Sequence, residues 1–183
     1  MTSELLRSDV VVVGFGMVGH RFAEELAKKR PDLGITIINR ETEDYAYDRV
    51  QLSSYVGSWN REDLYLDQLP DNVTVTPGRV VSIKPDVQEI VLEDGTVYAY
   101  GELVLATGSR PFVPRLPGND LDQVHVYRTL DDMDGIREAI EQAKEQHGDV
   151  TAVVVGGGLL GLEAAGATQA MGAKTHVVEM APR

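Results

Sequence analysis

Asp9-Val10-Val11-Val12-Val13-Gly14-Phe15-Gly16-Met17-Val18-Gly19 is the stretch on which the fold turns. Four consecutive valines suit a strand buried on both faces, as in a parallel sheet. The glycines at 14, 16 and 19 then follow the pattern G-x-G-x-x-G. Gly14 permits a tight turn out of the strand. Gly16 has no Cβ to hold off a pyrophosphate, and Gly19 lets the next helix lie close on the strand. A helix starting at Gly19 aims its N-terminal N–H groups at those phosphates. Val18, Phe22 and Leu26 recur every four residues and offer an apolar stripe to the sheet. Pro31 and Gly34 stop the helix, and Ile35-Thr36-Ile37-Ile38 is a second apolar strand ending in Asn39, Arg40 and Glu41. The unit is β-α-β, with an acid placed for a ribose hydroxyl pair.

The same device recurs. Val153-Val154-Val155-Gly156-Gly157-Gly158-Leu159-Leu160-Gly161 is a strand and a second G-x-G-x-x-G. A helix follows through Leu162 and Ala165 to Met171, Gly172 ends it, and Thr175-His176-Val177-Val178-Glu179 is a strand with an acid at its tip. One such motif is also met in glycine-rich turns that hold no ligand. Two of them in strand–helix–strand context point to two dinucleotides bound in two domains.

The bulk properties agree with an α/β chain. It has 183 residues, 43% hydrophobic, with 18 glycines. Net charge is −12, from 17 basic and 29 acidic residues, and no basic patch suggests nucleic acid or an anionic membrane. No apolar run approaches the ~18 residues of a membrane-spanning helix. Met1-Thr2-Ser3-Glu4 lacks a signal-peptide pattern, so the expected location is cytoplasmic. With no cysteine, thiolate metal sites and a redox-active C-x-x-C pair are excluded within this span. His20, His125, His147 and His176 lack metal-ligand spacing and are assigned to surface or packing roles; no metal site is expected.

Between the two units the period changes. Thr2–Ser8 reads as a frayed lead-in, and Glu41–Asp44 as an acidic loop. Tyr45–Tyr55 is aromatic and polar without a clear period. It fits either a loop and short helix covering the sheet or a lid on a cofactor, with Arg49 against a phosphate. A short helix is expected over Asp63–Leu69, then a strand at Val73-Thr74-Val75. Strands at Val80–Ile83, Glu89–Leu92 and Thr96–Tyr100, with Glu93-Asp94-Gly95 as a hairpin turn, form an inserted antiparallel meander. Leu103–Ser109 is a further buried strand ending in small residues, which fit a tight turn or a close approach to a ligand. Arg110–Gly118 carries three prolines and reads as a linker. A helix then follows on the apolar face Leu130, Met133, Ile136, Ile140 and Ala143, with Thr129 and Asp132 as a capping box and Gly148 past its end.

This order of elements resembles the two-dinucleotide flavoprotein family, which includes disulfide reductases and ferredoxin or rubredoxin reductases. The stretches 16–21, 47–55 and 156–166 are most similar to the N-terminal part of the large-subunit family of NAD(P)H-dependent nitrite reductases. The resemblance implies two Rossmann-like dinucleotide-binding units, the first with the inserted meander and the second truncated. It divides the chain into an FAD-binding domain at 1–116, a linker and connecting helix at 117–149, and the start of an NAD-binding domain at 150–183.

The implied activity is transfer of a hydride from NADH to FAD. Electrons then pass to iron–sulfur and sirohaem centres beyond residue 183, or to a small redox protein. No protein acid or base is needed for the hydride step. Gly14, Phe15, Gly16, Met17 and Gly19 would face the FAD pyrophosphate. Arg49 and Ser53 would line the flavin, Arg79 and Val80 would border the adenine, and Ala106, Thr107 and Gly108 would close over the isoalloxazine or its linker. Gly156, Gly158, Leu159, Gly161 and Glu179 would hold the nicotinamide dinucleotide, with Glu163 near the nicotinamide. NADH is favoured over NADPH because Glu179 would repel a 2′-phosphate.

Two departures from the family pattern stand out. Asn39-Arg40 replaces the acid expected at the end of the second strand, which makes Glu41 the favoured ribose ligand. Ser54 stands where ferredoxin reductases often carry a lysine. A nucleotide-binding module without turnover is the rival of another class. The second unit stops after its second strand, so residues 1–183 are expected to be an inactive fragment.

Overall fold

The computed structural model describes residues 5–41 and 43–182. The fold is α/β. Its contacts divide the chain into one unit of residues 1–48 and 65–109 and a second of residues 49–64 and 110–183.

In the first unit, strand β1 (Leu5–Val13) leads through helix α1 (Met17–Lys29) to strand β2 (Ile35–Asn39). Strands β3 (Val73–Pro77), β4 (Val80–Lys84), β5 (Glu89–Leu92) and β6 (Val97–Leu105) complete a six-stranded sheet of order β3-β2-β1-β6-β5-β4. β1 is parallel to both neighbours, with Val10 opposite Ile35 and Glu102, and Val13 opposite Ile38 and Leu105. β2 and β3 are parallel, whereas β4, β5 and β6 are successively antiparallel. The valines divide between the two faces: Val10 and Val12 pack with Ala23, Ala27, Ile35 and Ile37, while Val11 packs with Ile38, Ile90, Leu92 and Tyr98. Burial on both faces is what the unbroken apolar run demanded.

Several local expectations are corrected. The lead-in is not frayed over its described part, because β1 begins at Leu5 and pairs there with Val97. Of its 18/22/26 stripe, helix α1 packs only Leu26 against the core, and that partly buried. Val18 is 72% exposed and Phe22 36%, while Gly19, His20, Ala23, Glu24 and Ala27 are buried. At Gly19 a Cβ would meet the Gly14 carbonyl, so the helix lies close enough that alanines fill the contact. Val18 and Phe22 turn outward and line an open groove along the helix. His20 is a packing residue: its Nε2 donates to the Asp67 carbonyl at 2.7 Å. The expected helix at 63–69 is only a 3-10 turn at Arg61–Leu64. Beyond it Tyr65 bridges to Tyr47, and the Leu66 N–H bonds the Ala46 carbonyl at 2.8 Å, which draws the chain out straight.

The two strands expected at 96–100 and 103–109 are one. β6 runs unbroken past Gly101, where a Cβ would lie 2.7 Å from the Asp9 carbonyl oxygen. Gly101 is there because the β1 backbone approaches too closely for any side chain. Gly101→Val is expected to destabilise the first unit by about 1–3 kcal/mol, the usual cost of overpacking, read as a lower urea midpoint at unchanged slope.

The second unit carries a 3-10 turn at Arg49–Gln51, helices α2 (Leu52–Ser58), α3 (Leu130–His147) and α4 (Leu159–Ala170), and the parallel strands β7 (Thr151–Val155) and β8 (Lys174–Val178). The capping box of α3 is present: Thr129 accepts from the Asp132 N–H at 3.1 Å, and Asp132 accepts from the Thr129 N–H at 2.8 Å. Leu130, Met133 and Ile140 are buried on the expected face. Segment 49–64 packs on α3 and α4. Asp134 gathers Tyr55, at 2.9 Å, with Arg61 and Arg137, and the Arg137 guanidinium lies over Trp59, 4.4 Å from its ring centre. Among the described residues no helix is long and apolar enough to cross a membrane.

Candidate functional site: two glycine turns

The two glycine turns are wired alike. Gly14 has φ +111° and Gly156 has φ +110°, a region that strongly favours glycine. The Gly14 N–H bonds the Ile38 carbonyl at 3.0 Å, and the Gly156 N–H bonds the Val178 carbonyl at 2.8 Å. Each turn is thereby tied to the end of the neighbouring parallel strand. A Cβ at Gly161 would strike the Gly156 carbonyl, just as one at Gly19 would strike Gly14.

Gly16 and Gly158 differ from these four. Each is the extended N-cap of its helix, and a Cβ at either would have no heavy atom within 4 Å. Neither helix has a side-chain cap or an acidic residue in its first turn. Both positive helix ends therefore lack a side-chain cap, and the space above the two N-cap glycines is open. A dinucleotide pyrophosphate fits that arrangement: helix-end donors and dipole, with no Cβ in the way at Gly16 or Gly158.

Around the first turn the structure brings Gly14, Phe15, Gly16, Met17 and Gly19 together with Ala106 and Thr107. A Cβ on Gly14 would meet the Ala106 carbonyl, and the Ala106 N–H bonds the Val13 carbonyl at 2.9 Å. Gly108 takes φ +66° just beyond. At the tip of β2 the side chain of Asn39 is engaged by backbone, donating to the Glu43 carbonyl at 2.8 Å and accepting from the Glu41 N–H at 3.1 Å. Arg40 is exposed. The Glu41 carboxylate accepts from the Tyr47 hydroxyl at 3.3 Å. Arg79 pairs with Glu93 at 3.6 Å, and Val80 opens β4 opposite Leu92. Arg49 and Ser53 belong to the second unit, where the Arg49 guanidinium donates to the Arg128 carbonyl at 3.1 Å and Ser53 is exposed.

Around the second turn Glu179 folds back over the loop. Its carboxylate accepts from the Ala181 N–H at 2.8 Å and the Gly157 N–H at 2.7 Å. These donors, Ala181 first, then Gly157 and Met180, hold it below the usual glutamate range. Leu159 is 89% exposed beside the open cap. Glu163 stands in the second turn of α4 and accepts from the Tyr127 hydroxyl at 3.1 Å. Sequence reading missed both Tyr127 and Asn39. A partner 36 residues away leaves no periodic trace, and Asn39 was weighed only as a missing acid.

Comparison with known proteins places this geometry. The family model of pyridine nucleotide-disulphide oxidoreductases matches residues 8–183. The chain belongs to that family. Membership implies binding of FAD and of a nicotinamide dinucleotide, and the open N-cap glycines at 16 and 158 fit both. The chain is 39% identical over 180 residues to the nitrite reductase (NADH) large subunit of Escherichia coli, covering 94% of this chain and 20% of that protein. It is 42% identical over 181 residues to the nitrite reductase [NAD(P)H] large subunit of Klebsiella oxytoca, covering 94% and 18%. It thus spans about a fifth of the curated relatives' length. Among solved structures, a ferredoxin reductase from Rhodopseudomonas palustris superposes with a TM-score of 0.80 at 33% identity, over 96% of this chain and 43% of that one.

Proposed function

We propose that this chain is the NADH-oxidising, FAD-binding part of a nitrite-reducing flavoprotein. The observation that carries the reading is the pair of like-wired glycine turns in one chain, each opening a helix without a side-chain cap. Likeness to the nitrite reductase large subunits supports nitrite as the final acceptor. Residues 1–116 are assigned to FAD, 117–149 to the connection and 150–183 to the nicotinamide dinucleotide; the protein works in the cytoplasm.

FAD, when bound, would supply hydride acceptance from NADH and single-electron release. The chain's own residues bind and orient. Gly14, Phe15, Gly16, Met17 and Gly19 admit the FAD pyrophosphate, and Ala106, Thr107 and Gly108 border the flavin side. Glu41 takes the ribose hydroxyls, since the Asn39 side chain is already bonded to backbone. Arg49 and Ser53 face the flavin, and Arg79 and Val80 the adenine. Gly156, Gly158, Leu159 and Gly161 admit the second dinucleotide, and Glu179 takes its ribose. With no cysteine in 183 residues, the thiolate ligands of any iron–sulfur centre lie elsewhere.

Glu179 also sets the cofactor preference. Held ionised by backbone donors, it accepts from two ribose hydroxyls and repels a 2′-phosphate. The specificity constant is expected to favour NADH by about tenfold or more, as two like charges near a surface impose. From pH 8 down to about 5 the preference is expected to shrink only as far as the 2′-phosphate gains a proton, because the carboxylate itself remains charged. Glu179→Ala should shrink it. Equal constants for NADH and NADPH in the unaltered protein would refute the assignment.

A second reading is a reductase for a separate ferredoxin or rubredoxin, favoured by the likeness to the R. palustris ferredoxin reductase. Ser54 in the lysine position counts against it. The deciding experiment starts with the flavin spectrum of the purified full-length protein, of which residues 1–183 are part, and its bleaching by NADH. Reoxidation by nitrite is then compared with reoxidation by added ferredoxin. Absence of flavin would sink both readings.

A further inference from the structure

The Tyr127 hydroxyl donates to Glu163 Oε1 at 3.1 Å. Its backbone is held on its C-terminal side. The Arg128 carbonyl accepts from Arg49 at 3.1 Å, Thr129 closes the capping box of α3, and Leu130 is fully buried. Tyr127 therefore projects from fixed backbone on a side chain with only two torsions. Burial first, then the charge of Glu163, push its hydroxyl well above the ordinary tyrosine value, so it remains a donor. Glu163 lies on the second turn of α4, just behind the open cap at Gly158. A phenol on one carboxylate oxygen fixes the direction of the other.

We propose that Tyr127 is a positioning residue that aims the Glu163 carboxylate at the carboxamide N–H₂ of a nicotinamide bound on the second glycine turn. The proposal rests on reading that turn as the nicotinamide-dinucleotide site. A glutamate free to rotate about three torsions loses that freedom when it captures the amide; Tyr127 removes the freedom beforehand.

The test uses the full-length flavoprotein and anaerobic stopped-flow reduction of its flavin, which separates the NADH dissociation constant from the limiting rate. Tyr127→Phe is expected to raise the dissociation constant about three- to tenfold, the usual cost of ordering one flexible side chain on binding. The limiting rate should move less than about twofold. Glu163→Gln should weaken NADH at least as much, and the double variant no more than Glu163→Gln alone. Reduced 3-acetylpyridine adenine dinucleotide, which lacks the amide N–H₂, should bind the wild type and Tyr127→Phe equally; a general packing defect would weaken both ligands. If Glu163→Gln weakens NADH while Tyr127→Phe does not, or their effects multiply in the double variant, Tyr127 is not a positioning residue and the nicotinamide reading stands. If Glu163→Gln leaves NADH binding unchanged, the nicotinamide reading of Glu163 fails and the proposal with it. The wild-type comparison of the two ligands also decides whether any group reads the amide when a variant does not fold.

Discussion

Gly16→Val is expected to leave the first unit folded and strip it of flavin. Folding is spared because a Cβ at Gly16 has open space for at least 4 Å, and the residue sits at φ −85°, which any side chain adopts. As an N-cap, valine is poorer than glycine by a few tenths to about 1 kcal/mol, a small loss for a helix held by tertiary contacts. The open space is where the pyrophosphate must lie to reach the bare N–H groups of α1. A branched side chain there separates phosphate from backbone and should lower flavin content at least about tenfold, since losing one charge-assisted hydrogen bond already costs that much. Gly19→Val is the contrasting variant: its Cβ would strike the Gly14 carbonyl, so it should lose the fold together with the flavin. The checks, made on the full-length protein, are the visible flavin absorbance per protein and the thermal midpoint. A Gly16→Val protein that melts normally and keeps stoichiometric FAD would show that the pyrophosphate lies elsewhere.

How much of this could be read in the residues varies with the range of the interaction. The valine run and the glycine triads act within one turn of chain, and they named both β-α-β units and the residues of both turns. The capping box of α3 is equally local, and Thr129 and Asp132 stand where expected. The α1 stripe misled because period alone cannot tell which side of a helix is pressed closest. Gly19 brings the helix so near the sheet that Ala23 and Ala27 fill the contact and Val18 is left outside. Gly101 looked like a break between strands, because its reason for being glycine is the Asp9 carbonyl, some ninety residues earlier in the chain. The packing of segment 49–64 rests on Tyr55 and Arg61 meeting Asp134. Such pairings join residues separated by more than seventy positions and leave no mark in either stretch.

Residues 1–183 expressed alone are expected to hold FAD weakly and to oxidise NADH at a negligible rate. The reason is physical and sits in the second unit. Its sheet has two strands, β7 and β8, and Val153, Val155, Val177 and Val178 are 59%, 62%, 41% and 54% exposed. Alternate residues of a strand face opposite sides, so Val177 and Val178 leave both faces of β8 partly uncovered. A two-stranded sheet is marginal in water unless a third strand or a helix covers it. Here α4 contributes Ala164, Ala167 and Thr168 to the buried side, while Leu159, Leu160 and Leu162 remain 89%, 67% and 53% exposed. So much exposed aliphatic surface is expected to bind a hydrophobic dye and to favour self-association. Opening of this unit would release the Gly156 N–H from Val178 and blunt the helix end that a dinucleotide needs. The first unit, with its six-stranded sheet and two buried clusters, should outlast it. Hydrogen exchange is therefore expected to protect β1 and β2 and to expose β7 and β8. The comparison is with the protein extended through the segments its nitrite reductase relatives carry, which should bind FAD, quench the dye signal and oxidise NADH. If residues 1–183 alone carry stoichiometric FAD and reduce an artificial acceptor as fast as the extended protein, the second unit needs no such cover.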